Sequence, residues 1–276
     1  MAIEKSNNPG KFFDFERAGW SASIVGYDEG FGEVSRQTVA PTLDAVNLRG
    51  GMRLLDVCCG PGMLTQGAVQ RGATAIGVDF PDVIVLARKR APGVAFQADD
   101  AQALQFADNS FDAVVCGYGV MHVPDPEEAM REMLRVVRPG GRVAITVWDS
   151  RTPNNGFGLV YGAVRAHGNM NVPLPHGADF FQFSTPEKMR AALEEIGFIG
   201  VAAKELHQAW HVKSPAQVFD AIRTGTVRAR ALLAAQSEAA MPAIRRWFDE
   251  TVGAMGSPDK GYDVPLPAII GSGAKP

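Results

Sequence analysis

The residues best equipped for chemistry stand in Leu54-Leu55-Asp56-Val57-Cys58-Cys59-Gly60-Pro61-Gly62, an apolar run that breaks into a glycine-rich turn. Glycine lets backbone approach a ligand closely, and a helix starting just beyond offers unpaired N–H groups. Asp79 follows Asp56 by 23 residues, and a carboxylate there can accept two hydrogen bonds from a ribose diol. Asp99 and Asp100 form a second acidic pair. His122 is the candidate catalytic base, because an imidazole exchanges its proton near neutral pH; the alternative is a histidine packed beneath its loop. Cys58, Cys59 and Cys116 invite a soft-metal site, but small buried side chains account for them more simply. Without CxxC or HExxH spacing, no metal is expected.

These residues need elements to hold them. Arg53–Cys58, Thr74–Asp79, Val94–Ala98, Ala113–Gly117 and Arg142–Trp148 are short apolar runs that read as strands. Helical spacing over 34–48, Met63–Arg71, Val83–Arg90 and Pro126–Val137 separates or precedes them. Continuous apolar strands alternating with helices predict a parallel sheet covered on both faces. Residues 1–33 are Gly-rich, with Phe12, Phe13, Phe15, Trp20, Tyr27 and Phe31, and read as a cover. After Asp149 the rhythm breaks. Helices are expected over Phe157–His167, Thr185–Ile196 and much of 215–253, one long strand over Val201–Val212, and an edge strand over Val264–Gly271 because of its two prolines. Trp148 is placed beside the site, and Arg223, Arg228 and Arg230 on a solvated helix face.

The 276 residues carry 27 Lys+Arg against 30 Asp+Glu, a net charge of −3 without a basic stripe, which argues against nucleic acid as a partner. No apolar run is long enough for a membrane span and no secretory leader is read, so a soluble cytoplasmic protein is expected. Three cysteines form no disulfide framework. The 30 Gly and 18 Pro imply tight turns, since a hydrophobic content of 46% supplies an ample core.

The glycine turn alone also suits a nicotinamide enzyme. That fingerprint requires G-x-G-x-x-G, whereas Cys58 occupies the first glycine position and no Lys/Arg cluster awaits a pyrophosphate. The order of further motifs is more specific. Asp99-Asp100-Ala101, Asp108-Asn109-Ser110-Phe111-Asp112, Val120-Met121-His122-Val123-Pro124-Asp125-Pro126 and Leu134-Arg135-Val136-Val137-Arg138-Pro139-Gly140-Gly141 follow the turn in sequence. Together they resemble the class I S-adenosylmethionine-dependent methyltransferases, in the small-molecule, ubiquinone/menaquinone-biosynthesis-like group, over about residues 20–150.

The resemblance implies a Rossmann-like fold with a mostly parallel seven-stranded sheet and a helical lid. It implies S-adenosylmethionine as cofactor, S-adenosylhomocysteine as product, and methyl transfer to O, N or C of a small acceptor. Asp56, Cys58, Gly60 and Gly62 are then the loop around the methionine part. Asp79 takes the ribose and Phe80 lies against the adenine. Asp100, rather than Asp99, meets the adenine amino group beside Ala101, and Cys116 and Gly117 offer carbonyls to the methionine ammonium. Tyr27 is the aromatic cover before the first helix. The family usually has glycine where Cys58 stands, so a backbone with positive φ would be strained there. One methyltransferase domain is expected over 1–276, with 35–149 as the cofactor-binding core and 1–34, 151–183 and 207–262 as lid. Monomer and homodimer both suit the sequence. A nicotinamide oxidoreductase and a non-catalytic cofactor-binding homologue are the rival readings.

Overall fold

Five strands written as continuous apolar runs lie side by side in the computed structural model, which describes residues 9–149 and 155–276. They are β1 (Arg53–Val57), β2 (Thr74–Asp79), β3 (Ala95–Ala98), β4 (Phe111–Gly117) and β5 (Val137–Trp148). With β6 (Ile199–Leu206) and β10 (Ala268–Ala274) they form a seven-stranded sheet in the order β3-β2-β1-β4-β5-β10-β6. The first five pair in parallel, while β10 runs antiparallel to both β5 and β6.

Both faces of the sheet are buried, which is why these strands are apolar without alternation. Leu54, Ala113, Val115 and Ala144 point into one core with Leu43 of α2 (Val39–Ala45) and Leu64 of α3 (Met63–Gln70). Leu55, Val57, Val114 and Ile145 point into the other, where α5 (Pro126–Val136) inserts Met130 and Met133. Asp125 caps α5, its carboxylate accepting from the Glu128 N–H at 2.9 Å. On the β2–β3 side, α4 (Pro81–Arg90) packs Ile84 and Ala87 against Phe96.

Three expectations are corrected. No helix is expected in the Gly-rich cover, yet α1 runs from Pro9 to Arg36, and the single helix expected over 34–48 is replaced by its end and by α2. Five glycines hid α1, since each one in a helix interior costs about 1 kcal/mol in propensity. Three of them are packing notches instead. A Cβ on Gly26 would stand 2.7 Å from the Thr224 carbonyl and one on Gly30 2.5 Å from Ala221, while Gly19 fits under Val227. Their spacing of seven and four residues puts them on one helix face, against α8 (Pro215–Gly225) and the start of α9 (Arg228–Ala234). The strand expected over 201–212 is two strands. β6 stays in the large sheet, whereas β7 (Ala209–Val212) joins β9 (Gly261–Pro265) and β8 (Gly256–Ser257) in a small antiparallel sheet. The closing strand is interior, not an edge. Pro265 and Pro267 flank the crossing between sheets, and β10, free of proline, pairs on both sides.

α6 (Gly156–His167), α7 (Pro186–Ile196) and α10 (Met241–Gly253) complete the chain. Electrostatic links join α1 to α4: Asp28 pairs with Arg90, and the Ser21 hydroxyl donates to Asp82 at 2.6 Å. Of the sequence-predicted lid, residues 1–8 and 151–154 lie outside the described residues.

Candidate functional site

A cavity opens at the carboxyl ends of β1, β2 and β4, the place where open α/β sheets receive ligands. Its floor is the β1–α3 turn. Asp56 is fully buried, and its Oδ2 accepts from the Thr65 N–H at 2.9 Å and the Thr65 hydroxyl at 2.5 Å. Asp56 thereby anchors the first turn of α3. Its Oδ1 has no hydrogen-bond partner among the described residues, and burial pushes the carboxyl up to about 7 against the pull of Thr65. Asp79, at the end of β2, accepts from the Gly60 N–H at 2.8 Å and the Phe80 N–H at 2.7 Å. Burial pushes it to about 6, with those bonds and His122 pulling down.

The conformation of the turn bears on the cysteine substitution. Cys58 has φ 57°, the left-handed region that glycine occupies without strain. Gly60 has φ 53°, and a Cβ built there would meet nothing within 4 Å, so it faces open cavity. Gly62 differs: it is not on the wall, and a Cβ there would stand 2.6 Å from the Phe96 ring. Tyr118 also lies on the wall with φ 59°, stacked on Trp148 at 3.8 Å, its hydroxyl accepting from the Gln208 amide at 3.0 Å. Left-handed Cys and Tyr side by side at a cavity mark a place where backbone strain is held by surrounding structure.

Asp99, Asp100 and Ala101 form one side, with Phe80 nearby. Asp99 is used internally, its two oxygens accepting from the Asp100 and Gln105 N–H groups at 2.9 and 3.0 Å. Asp100 accepts from the Gln102 N–H at 2.9 Å through Oδ1 and keeps Oδ2 without a partner among the described residues. Gly117 is on the wall; Cys116 lies behind it, fully buried. The Cys58 thiol is held well above its ordinary range, first by its hydrogen bond with Cys116 and then by burial, and burial raises Cys59 likewise. These thiols stay protonated at neutral pH, unlike metal ligands or nucleophiles. Among the described residues no group of three His, Cys, Asp or Glu is arranged to hold a metal ion.

The roof is aromatic. Tyr27 is inside α1, not before the first helix; it stacks on Phe31 at 5.6 Å and shares a 2.8 Å hydrogen bond with Ser35. Burial pushes its hydroxyl up to about 12. His122 sits in a 3-10 turn, Val120–His122, after β4. Its Nδ1 is 2.9 Å from Oε2 of the fully buried Glu16, a residue of α1 that sequence reading did not single out. Trp20, Phe157, Tyr161 and Phe180 complete this end. Arg228, expected on a solvated face, instead lines the wall and donates to the Pro175 carbonyl at 3.2 Å, while Arg230 donates to the Ser23 hydroxyl at 2.9 Å. No local pattern marks Glu16 or Arg228 as site residues.

The cavity is therefore polarised. Four carboxylates, of Asp56, Asp79, Asp99 and Asp100, gather at the strand ends, and Arg228 on α9 is the one Lys or Arg on the described wall. The strand end suits a ligand rich in donors and positive charge, and it offers no cation to a diphosphate.

Residues 55–145 match the methyltransferase-domain family. The chain is 39% identical to the demethylmenaquinone methyltransferase of Beutenbergia cavernae over 178 residues, 60% of this chain and 73% of that one. It is 39% identical to the Renibacterium salmoninarum protein of the same name over 111 residues, 40% of this chain and only 47% of that one. In fold it is similar to the YcgJ protein from Bacillus subtilis, with TM-score 0.56 at 20% identity, covering 87% of this chain and 98% of that chain. It is also similar to phosphoethanolamine N-methyltransferase 2 of Haemonchus contortus in complex with S-adenosyl-L-methionine, with TM-score 0.53 at 18% identity, covering 92% and 56% of the two chains.

Proposed function

This chain belongs to the class I S-adenosylmethionine-dependent methyltransferases, in the small-molecule, ubiquinone/menaquinone-biosynthesis-like group, and on that premise we propose that it methylates a small organic acceptor by in-line displacement. The carrying observation is the acidic floor without Lys or Arg beneath the open face of Gly60. S-adenosylmethionine supplies, when bound, a methyl group already activated by a sulfonium.

The chain's own residues do the rest. Gly60 lets backbone come close to the methionine part, and Asp79, fixed by two N–H groups, keeps lone pairs for the ribose hydroxyls. The unpartnered Oδ2 of Asp100 takes the adenine amino group, with Ala101 and Phe80 beside the base. Gly117 meets the methionine ammonium. Asp56, though on the wall, acts by holding α3 in place. Gly62 and Cys116 support the loop from behind it. Tyr27 and the rest of α1 exclude water, which strengthens every polar contact beneath them.

We read the chain as one methyltransferase domain, with 35–149 holding the cofactor and 1–34, 151–183 and 207–262 covering the acceptor, and we place it in the cytoplasm. Its cysteines are free, and among the described residues no helix is long and apolar enough to cross a membrane. Calorimetric titration tests the reading: S-adenosylhomocysteine binds and NAD does not. Absence of S-adenosylhomocysteine binding overturns it; binding without turnover over a broad acceptor panel makes the chain a non-catalytic homologue.

A further inference from the structure

We propose that Arg228 is a specificity residue for the acceptor and selects a small molecule that carries one carboxylate; this rests on the methyl-transfer reading above. Arg228 is half-buried and lines the cavity from the start of α9, the one Lys or Arg on the described wall. A guanidinium has five N–H donors and keeps its charge at any pH the protein meets. Among the described residues this one donates a single hydrogen bond, to the Pro175 carbonyl at 3.2 Å, and pairs with no carboxylate. Glu16 does not fill the gap: it is fully buried behind the wall and directs its Oε2 to His122.

The position of the guanidinium is built. The face of the Phe12 ring lies 5.7 Å from its central carbon, and Phe12 packs on Gly177, so ring and Pro175 carbonyl belong to one block. The preceding residue, Val227, fits over the Gly19 notch of α1. Tyr161 stands on the same wall, within electrostatic reach of Arg228. Its hydroxyl has no hydrogen bond among the described residues, and burial keeps it protonated, so it is a donor. One charged and one neutral donor thus face the cavity without an acceptor between them.

The charge of the site names the group. A single guanidinium balances one negative charge, and its planar fork matches the two oxygens of a carboxylate. A phosphate monoester brings nearly two charges, with no second cation on the described wall and four carboxylates across the cavity. A neutral acceptor would displace water from the guanidinium and leave it unpaired, which is costly. The two poles therefore sort the two ligands: the acidic floor takes the cationic cofactor, and Arg228 takes the anionic end of the acceptor. The carboxylate is a handle that turns the rest of the molecule toward the strand ends.

The experiment titrates the full chain, saturated with S-adenosylhomocysteine, with three matched pairs: benzoate and benzamide, 2-naphthoate and 2-naphthamide, hexanoate and hexanamide. At least one acid is expected to bind about tenfold or more tighter than its amide, the scale of a hydrogen bond to a charged group. Arg228→Gln is expected to bring that ratio to within about twofold of one, with amide and S-adenosylhomocysteine affinities also within about twofold of wild type. Arg228→Lys keeps part of the preference, because it keeps the charge and loses the fork. An arginine that served packing alone would weaken acid and amide alike. Should Arg228→Gln fail to fold, Tyr161→Phe must lower the ratio about threefold with the amide unchanged. Equal affinity, or none, for every acid and its amide overturns the proposal, as does an Arg228→Gln protein that keeps the preference. A marked loss of S-adenosylhomocysteine affinity in Arg228→Gln also overturns it, since the guanidinium would then serve the carboxylate of the cofactor. Tighter binding of 2-naphthyl phosphate than of 2-naphthoate overturns the choice of a carboxylate. If the wild type does not bind S-adenosylhomocysteine, the methyl-transfer reading itself falls.

Discussion

The floor of the cavity is drawn from Asp56, the turn 58–61, Met63 and Leu64, from 78–80 and Val83, and from 99–101, at the ends of three neighbouring strands of one parallel sheet and in the turns that follow them. The roof gathers residues 13–39, Phe157, Tyr161, Phe180 and 225–229 from regions far apart in the chain. Floor contacts are local and polar: Gly60 to Asp79, Thr65 to Asp56, Asp99 to Gln105. Roof contacts are long-range and aromatic, strung along α1, α6 and the segment around Phe180. A floor built from strand ends is fixed by the sheet itself. A roof built from distant pieces is free to change with the acceptor. The matches follow the same division, since the family covers 55–145 and leaves out most of the roof.

The largest expected effect separates the two halves. Gly60→Val places a branched side chain in the open floor and in left-handed backbone. S-adenosylhomocysteine affinity should fall more than 100-fold, about 3 kcal/mol, while circular dichroism shows the fold retained. Unchanged affinity would mean the ligand does not lie over this turn.

Asp79→Ala comes next, weakening binding by about 1–3 kcal/mol as charged hydrogen bonds are lost. Its pH dependence is diagnostic. Asp79 has a folded value near 6 against an ordinary 3.8, so the ligand-free folded state holds this proton more tightly than the unfolded chain. Stability from this group is therefore present at low pH and is lost as pH rises between about 4 and 6. Ligand binding needs the ionised form and should weaken as pH drops below about 6. Asp79→Asn removes this group's share of both trends, while buried Asp56, pushed up to about 7, keeps its own. Calorimetric titrations and melting curves from pH 5 to 8 read them, and parallel slopes in wild type and Asp79→Asn would contradict the assignment.

Gly26→Val acts on the roof alone. Its side chain would be driven into the Thr224 carbonyl, at an overpacking cost of about 1–3 kcal/mol. Limited proteolysis should cut α1 sooner, with the sheet intact; a variant as resistant as wild type would show that the notch is not needed. The smallest change is Cys58→Gly. Relief of left-handed strain, offset by the entropy of glycine, should leave stability within about 1 kcal/mol of wild type. Urea denaturation checks it. A large destabilisation would show that the Cys58–Cys116 contact, and not the turn, holds the floor together.

Legibility followed the same divide. Asp79, Asp100, Gly60 and Gly117 line the cavity, and a strand, a turn and an acid following one another along the chain pointed to them. Gly62 and Cys116 were drawn to the wall by the same spacing but stand behind it, because spacing does not say which way a residue packs. Tyr27 lines the cavity, but from inside α1 and not from a segment before the first helix. The glycines of α1 carry a helix-breaking propensity that the contact with α8 overrides. Arg228 looked solvated because its helix is short and rich in arginine, and only the docking of α9 turns it inward.

The sequence by itself determined the strands, the helices of the core and the glycine turns, because apolar periodicity, turn chemistry and capping are set by residues within a few positions of one another, and the order of the motifs along the chain carried the resemblance to the family. The tertiary structure decided the roof. Glu16 and His122 are 106 residues apart, and their pairing depends on α1 crossing α8, on glycine notches opposite Ala221 and Thr224, and on the edge-on contact of Trp20 with His122 that forms only when these elements meet. Contacts at that range leave no period in the chain, because burial and distance are properties of the folded molecule and not of neighbouring residues.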